Sequence, residues 1–242
     1  MISQRDIERW FESSHFRRKC DWVCVDQPKV IQAWIDRHMI GQVIIAADIE
    51  QPAWLIKFPS LEVPHSWLSK VTQKPSHPGI MVIIERPTFK VSDLLSQKRV
   101  LILDGIQDPG NLGTIIRSMA AFGVNTLCLT DQCVDVFHPK AVNASAGALA
   151  HISIYHEAHW SDWLTKSQAP VMVLDPLAAF SINEVKQKSS FTLVCGSEGR
   201  GVQNDLVKSV RLMPVSITMA EGVESLNAAM AVSIALHQLT RI

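Results

Sequence analysis

From residue 100 onward, short β-rich runs alternate with helical patterns, and this alternation restricts the fold more than any other feature of the chain. VLILD at 100–104 is followed by a helical pattern near 112–122, then TLCLT, a helix in the 140s, ISIYH and a helix near 160–167. VMVLD, a helix near 182–188, FTLVCG, a helix near 203–209, RLMPVSI and a long final helix complete the series. This βαβ rhythm predicts an α/β fold with a mostly parallel sheet and helices on both faces. Nine of the 11 glycines lie in this half, where tight turns at strand ends use them. Open sheets of this kind bind ligands at the carboxyl ends of their strands.

The first part alternates too, with a helix near 4–14, strand DWVCV, a helix over 29–38, strand QVIIAA and a last strand GIMVIIE. It reads as a small α/β unit of its own. PTFKVSDLLSQKR at 87–99 opens with proline and is polar, so the boundary belongs there: one domain over 1–86, a linker over 87–98 and a second domain over 99–242.

Composition removes several classes. The longest apolar stretches, such as AAMAVSIAL, fall well short of the roughly 20 residues of a membrane span. MISQRDIERW carries charges where a signal peptide has an apolar core, so the cytoplasm is the expected location. The five cysteines lack paired metal-ligand spacing, and His151, His156 and His159 straddle a strand-to-helix junction, so no metal is expected. Net charge is zero, yet residues 1–99 carry 14 Lys and Arg against 11 Asp and Glu, and the remainder 9 against 12. A polyanion-binding role, if there is one, belongs to the first half, although so small an excess is also ordinary scatter.

Three stretches carry chemistry. DGIQDPGNLGTIIRSMAAFGV, 104–124, leaves a strand and turns through Asp108, Pro109 and Gly110. Asn111 then stands as an N-cap for a helix burying Ile115, Ile116, Met119 and Phe122. Arg117 on that helix is a surface residue by periodicity alone. LVCGSEGRGV, 193–202, places three glycines in six residues, as backbone does where something must approach closely. No Gly-Lys-Ser/Thr follows, so it is no Walker loop. It follows the fifth strand of its half, where a dinucleotide fold has its fingerprint after the first, and a nicotinamide enzyme is thereby disfavoured. In ITMAEGVESLNAAMAVSIALHQL, 217–239, a polar loop precedes an apolar helix that Ser225 is placed to cap near Leu226.

The order and spacing of these stretches resemble the SpoU (TrmH) family of the SPOUT superfamily, RNA ribose 2′-O-methyltransferases. DPGNLGTIIRSMAAFGV looks like the family's first motif, LVCGSEGRGV its second and ITMAEGVESLN its third, while VTQKPSHPGIMVIIERP is similar to the end of the substrate-binding domain, like ribosomal protein L30e, that many members carry. The resemblance implies a trefoil knot, an exception to the rule that chains avoid threading. It implies S-adenosylmethionine as cofactor, held around Leu174, Gly196, Ile217, Met219 and Leu226. It implies a homodimer acting on RNA, ribosomal more than transfer RNA by analogy with members having this kind of first domain.

Motif by motif, the resemblance marks Asn111, Arg117, Glu198, Ser225 and Asn227 as the polar catalytic set. A guanidinium loses its proton only above about pH 12, so Arg117 is read as a phosphate grip and a stabiliser of developing alkoxide charge, not as a base. FRRK at 16–19 supplies Arg17, Arg18 and Lys19 as a candidate RNA-binding patch, with a solvated helix end as the competing reading. Three departures stand out. Thr218 occupies a position usually held by proline, which is expected to loosen the cofactor loop. Asn143 replaces a common arginine, and Asp26 a common glycine after the first strand. Thr218 and Asn143 lend weight to a competing reading, a non-catalytic dimeric RNA-binding protein that keeps the knotted fold.

Overall fold

The computed structural model describes all residues but 36–39, 157–163, 187–188, 198–200, 203–211 and 242, and, within its elements, the side chains of all but Val91 and Leu95. The chain forms two compact units, Met1–Pro87 with Asp135–Ala150, and Thr88–Val134 with His151–Ile242.

The first unit contains helices α1 (Gln4–Glu12), α2 (Ser14–Lys19), α3 (Pro28–Ile35) and α4 (His65–Thr72) and strands β1 (Trp22–Val25), β2 (Ile40–Ala46), β3 (Ser60–Val63) and β4 (Ile80–Glu85). Its sheet runs β1-β4-β2-β3, with β4 antiparallel to both neighbours and β3 parallel to β2. The single helix expected over 4–14 divides at Ser13, whose hydroxyl accepts from Phe16 N and so starts α2. Strand β3 and helix α4 escaped the sequence reading because SLEV is a short edge strand that buries only Val63 and shows no usable alternation.

Residues 135–150, expected from the sequence within the domain over 99–242, pack instead with the first unit. Helix α6 (Pro139–Ala144) lies against β1, and Gly147 lies so close to α3 that a Cβ would stand 3.0 Å from that of Ala33. A buried ion pair fixes the same segment: Arg17 Nε donates to Asp135 Oδ2 at 2.6 Å, and Arg17 Nη1 to the Trp10 carbonyl. Arg17 is therefore withdrawn from the expected RNA-binding patch, being 2% exposed with its charge already matched. Arg18 and Lys19 remain on the surface. Asp26 is buried as well. Burial alone would raise its carboxyl, but His77 Nε2 at 3.6 Å and Lys74 Nζ at 2.5 Å hold it below the ordinary carboxylate range.

The second unit is built on strands β5 (Arg99–Asp104), β6 (Thr126–Leu129), β7 (Ser153–His156), β8 (Val171–Leu174), β9 (Phe191–Gly196) and β10 (Leu212–Val215). They are ordered β10-β8-β9-β5-β6-β7, and all five pairings are parallel. Alternation along the strands sends Val100, Ile102, Cys128, Val171, Val173 and Val194 to one face, where they cluster with Leu94, Tyr155 and Leu164. Helices α5 (Pro109–Ala121) and α7 (Ala228–Thr240) pack on each other, joined by Ser118 and Ser233 hydroxyls 2.6 Å apart, and α7 also meets β9. The helix expected near 182–188 is a single 3-10 turn, Ile182–Glu184, closed by a Ser181 and Glu184 capping box. The helix expected near 203–209 lies outside the described residues, as does the first half of that near 160–167. No helix among the described residues is long and apolar enough to cross a membrane.

Removing one partner of a buried ion pair strands the other charge in a medium that cannot solvate it. Arg17→Met and Asp135→Leu are each expected to cost about 3 to 5 kcal/mol in urea unfolding followed by tryptophan fluorescence. The double variant should recover most of that loss. Singles that unfold like the parent chain would show that the pair does not hold the 135–150 segment.

Candidate active site

Because every pairing in the second sheet is parallel, the carboxyl ends of its strands lie at one edge, and two cavities open there. The larger, of about 530 Å3, is walled by the segments leaving β8, β9 and β10. Leu174, Gly196, Ile217, Met219 and Leu226, the five residues that the resemblance marked for the cofactor, all line it, together with Ser225. Asp175 and Leu177 after β8 and Glu224 before α7 also line it and were missed by the sequence reading. The signal for Asp175 was present: it is the polar residue that ends the apolar run VMVL, where a parallel strand delivers side chains to a ligand.

Gly196 and Gly201 of the second stretch have separate reasons. A Cβ on Gly196 would collide with the backbone of Gly201 and Val202, so only glycine allows the chain to fold back on itself there. Gly201 donates its N–H to the Ser197 carbonyl at 3.1 Å with φ +64°, a left-handed conformation that closes the turn. Glu198 lies outside the described residues.

Two helix starts differ from the expected ones. Asp108, not Asn111, caps α5: its carboxylate accepts from Asn111 N at 2.7 Å, and Pro109 takes the first helical position. Asn227, not Ser225, caps α7, its carbonyl oxygen accepting from Ala229 N and Met230 N. Freed from capping, Asn111 turns its Oδ1 to Asn227 Nδ2 at 3.1 Å, so the two helix starts are tied side chain to side chain. Ser225 stands exposed on the wall of the larger cavity.

The smaller cavity, of about 310 Å3, lies between the segments leaving β5 and β9 and shares Ser197 and Ala228 with the larger one. Asn111 lines it with Gly105, Gln107, Asp108 and Gln132. Arg117 lines neither cavity. It is exposed on α5, six residues and so about 9 Å along the helix axis from Asn111.

Thr218 does not leave its segment loose. Its hydroxyl is 3.1 Å from that of Ser181, while Ile182 N donates to the Ser216 carbonyl and Ser216 N to that of Phe180, both at 2.8 Å. Hydrogen bonds thus join Ser216 and Thr218 to the 180–182 turn. Asn143 is half-buried, with its Oδ1 enclosed and unpartnered among the described residues.

A parallel sheet whose ligand edge is built from these three motifs defines a class, and comparison with known proteins gives the same one. The profile of the SpoU rRNA Methylase family matches residues 98–237, and the chain belongs to that family. It is 31% identical over 173 residues to the 23S rRNA (guanosine(2553)-2′-O)-methyltransferase RlmP of Bacillus subtilis, an alignment covering 71% of this chain and 68% of that one. Its fold matches that of the SpoU methyltransferase AviRb from Streptomyces viridochromogenes, solved with AdoMet, at TM-score 0.89 and 20% identity, over 98% of this chain and 96% of that one. The AdoMet-bound rRNA methyltransferase from Sinorhizobium meliloti aligns at TM-score 0.86 and 24% identity, over 98% of this chain and 94% of that one.

Asn227 has two separable roles, the cap of α7 and the tie to Asn111. Asn227→Ala is expected to lower the unfolding free energy by about 1 kcal/mol, and Asn227→Ser, which keeps a capping oxygen, to restore most of it. Equal losses in the two variants, measured by chemical unfolding, would assign the effect to the Asn111 contact instead.

Proposed function

We propose that this protein transfers a methyl group from S-adenosylmethionine to a ribose 2′-hydroxyl in structured RNA, ribosomal in preference to transfer RNA. One observation carries the reading. Five residues scattered from 174 to 226 converge on a single cavity at the carboxyl edge of the sheet, and the tied Asn111 and Asn227 stand beside its neighbour. The AdoMet-bound state of two structures with the same fold supports the choice of cofactor, and the acceptor named for the Bacillus subtilis relative supports ribose in ribosomal RNA.

The larger cavity fits the cofactor's chemistry. Leu174, Ile217, Met219 and Leu226 offer apolar walls for an adenine ring, Gly196 keeps backbone close, and Asp175 and Glu224 offer carboxylates to ribose hydroxyls or an ammonium group. When bound, S-adenosylmethionine supplies an electrophilic methyl group on a sulfonium. The chain's own contribution is alignment of the acceptor, which is a large part of catalysis in such transfers. Asn111 and Asn227 orient the ribose from their joined position, Ser225 hydrogen-bonds substrate or cofactor, and Glu198, carried over from the family motif, organises the site. Arg117, exposed and lining neither cavity of its own chain, grips RNA phosphate and, in the homodimer of this reading, stabilises the developing alkoxide at the site of the other copy, while the proton leaves to phosphate or water.

In the same reading the segments around the larger cavity form a trefoil knot, the first unit is an L30e-like RNA-binding domain using Arg18 and Lys19, and the protein works as a homodimer in the cytoplasm. Exposed Met230 and Ile234 on α7 are consistent with a subunit interface. The Thr218 tether counts against the non-catalytic alternative, since the segment expected to be loosened is held.

The decisive test is transfer of labelled methyl to separate ribosomal and transfer RNA pools lacking host modification, followed by nuclease digestion. A labelled 2′-O-methyl nucleoside from the ribosomal pool is expected. No transfer to either pool, with no cofactor binding by calorimetry, would overturn the reading. Arg117→Ala should lower kcat by about 100-fold or more with cofactor affinity unchanged, and wild-type turnover in that variant would remove Arg117 from the chemistry. Thr218→Val should weaken cofactor binding several-fold, as expected for one lost hydrogen bond, and Thr218→Pro should restore it.

A further inference from the structure

The smaller cavity has no part in holding the cofactor in the reading above, yet it opens from the same wall. It shares Ser197 and Ala228 with the larger cavity, so the two spaces adjoin. Of its polar groups, two are already committed: the Asp108 carboxylate caps α5, and Asn111 Oδ1 accepts from Asn227. The exposed side chains of Gln107 and Gln132 make no hydrogen bond among the described residues. Gly105 keeps the floor clear between them. At φ +73° it carries no side chain where a Cβ would meet the Ser197 hydroxyl at 3.6 Å and Gln132 Oε1 at 3.7 Å.

Two uncommitted carboxamides at the mouth of a cavity this size suit one ligand class. Each offers a donor and an acceptor in one plane, the pattern that pairs with the hydrogen-bonding edge of a nucleobase. Unpaired RNA bases are recognised on such edges once they are splayed from the stack, and modifying enzymes commonly turn their target out. Building on the proposed methyltransferase activity, we propose that the smaller cavity receives the base of the methylated nucleotide, with Gln107 and Gln132 selecting it through its hydrogen-bonding edge. A neutral pair of amides discriminates by donor and acceptor order and not by charge, so the enzyme is specific for one base at its target position.

The test uses the intact protein and an RNA hairpin carrying the mapped target nucleotide, with three counterparts differing only in that base. The wild-type protein is expected to favour the native base by about 10- to 100-fold in kcat/KM, the discrimination given by a good bidentate contact. In Gln107→Leu/Gln132→Leu that preference should fall to within about threefold, while calorimetry with S-adenosylmethionine stays at the wild-type value, which also shows that the variant is folded. Gln132→Glu, which exchanges a donor for an acceptor, should reorder the preference among the four hairpins. As a readout without turnover, 2-aminopurine at the target position should brighten on binding wild-type protein with no cofactor present, and less so with the double variant. Retained preference in the double variant overturns the proposal. So does a parallel loss of cofactor affinity, which would make the cavity a seat for the cofactor's amino-acid end. Absence of both cofactor binding and methyl transfer in the wild type instead overturns the methyltransferase reading beneath it.

Discussion

Five parallel pairings in succession across the sheet of the second unit leave the carboxyl ends of all six strands on one edge, and everything proposed for this protein depends on that. Backbone hydrogen bonding within the sheet satisfies the strand interiors, so polar and glycine-rich backbone collects where the strands stop. With β9 set between β8 and β5, the segment leaving β9 borders two spaces at once: one toward β8 and β10, the other toward β5. Gly196 and Ser197 sit at that divide. Moving β9 one place in the order would separate the larger cavity from the smaller.

Local chemistry then sharpens what topology allows. The backbone of Gly196 lies too close to that of Gly201 and Val202 for any side chain, so glycine is required where the chain borders the larger cavity. The caps of α5 and α7 come from Asp108 and Asn227, and choosing Asp108 over Asn111 releases the Asn111 side chain to bond Asn227. A single change of capping residue therefore converts Asn111 from a helix-starting device into part of the site. The Ser181 and Thr218 contact plays a comparable part on the other side, tying the segment after β10 to the turn after β8.

The order of strands in the second half and five residues of the larger cavity were legible in the sequence, for different reasons. Strands such as VLIL and FTLVC are continuous apolar runs because both faces of a parallel sheet are covered, a pattern that needs no tertiary knowledge to recognise. Leu174, Ile217 and Leu226 were legible only through likeness to known motifs, since nothing in their spacing brings them together. The helix starts were misjudged because Asp108 and Asn111, or Ser225 and Asn227, are each competent caps, although Pro109 at the first helical position favoured Asp108. Arg17 was read as a surface cation because it lies in the basic run FRRK, and its burial depends on Asp135, 118 residues away in the chain.

By itself the sequence determined the α/β character, the parallel sheet of the second half, the apolar run of each strand and the presence of three family motifs, because these follow from hydrophobic periodicity and local residue choice. Only the tertiary structure decided which strand lies beside which, that residues 135–150 join the first unit, that Arg17 is buried while Arg18 and Lys19 are not, and that Gln107 and Gln132 face one cavity. Those outcomes rest on contacts between residues far apart in the chain, where burial of charge and close backbone packing outweigh any preference written in a short stretch.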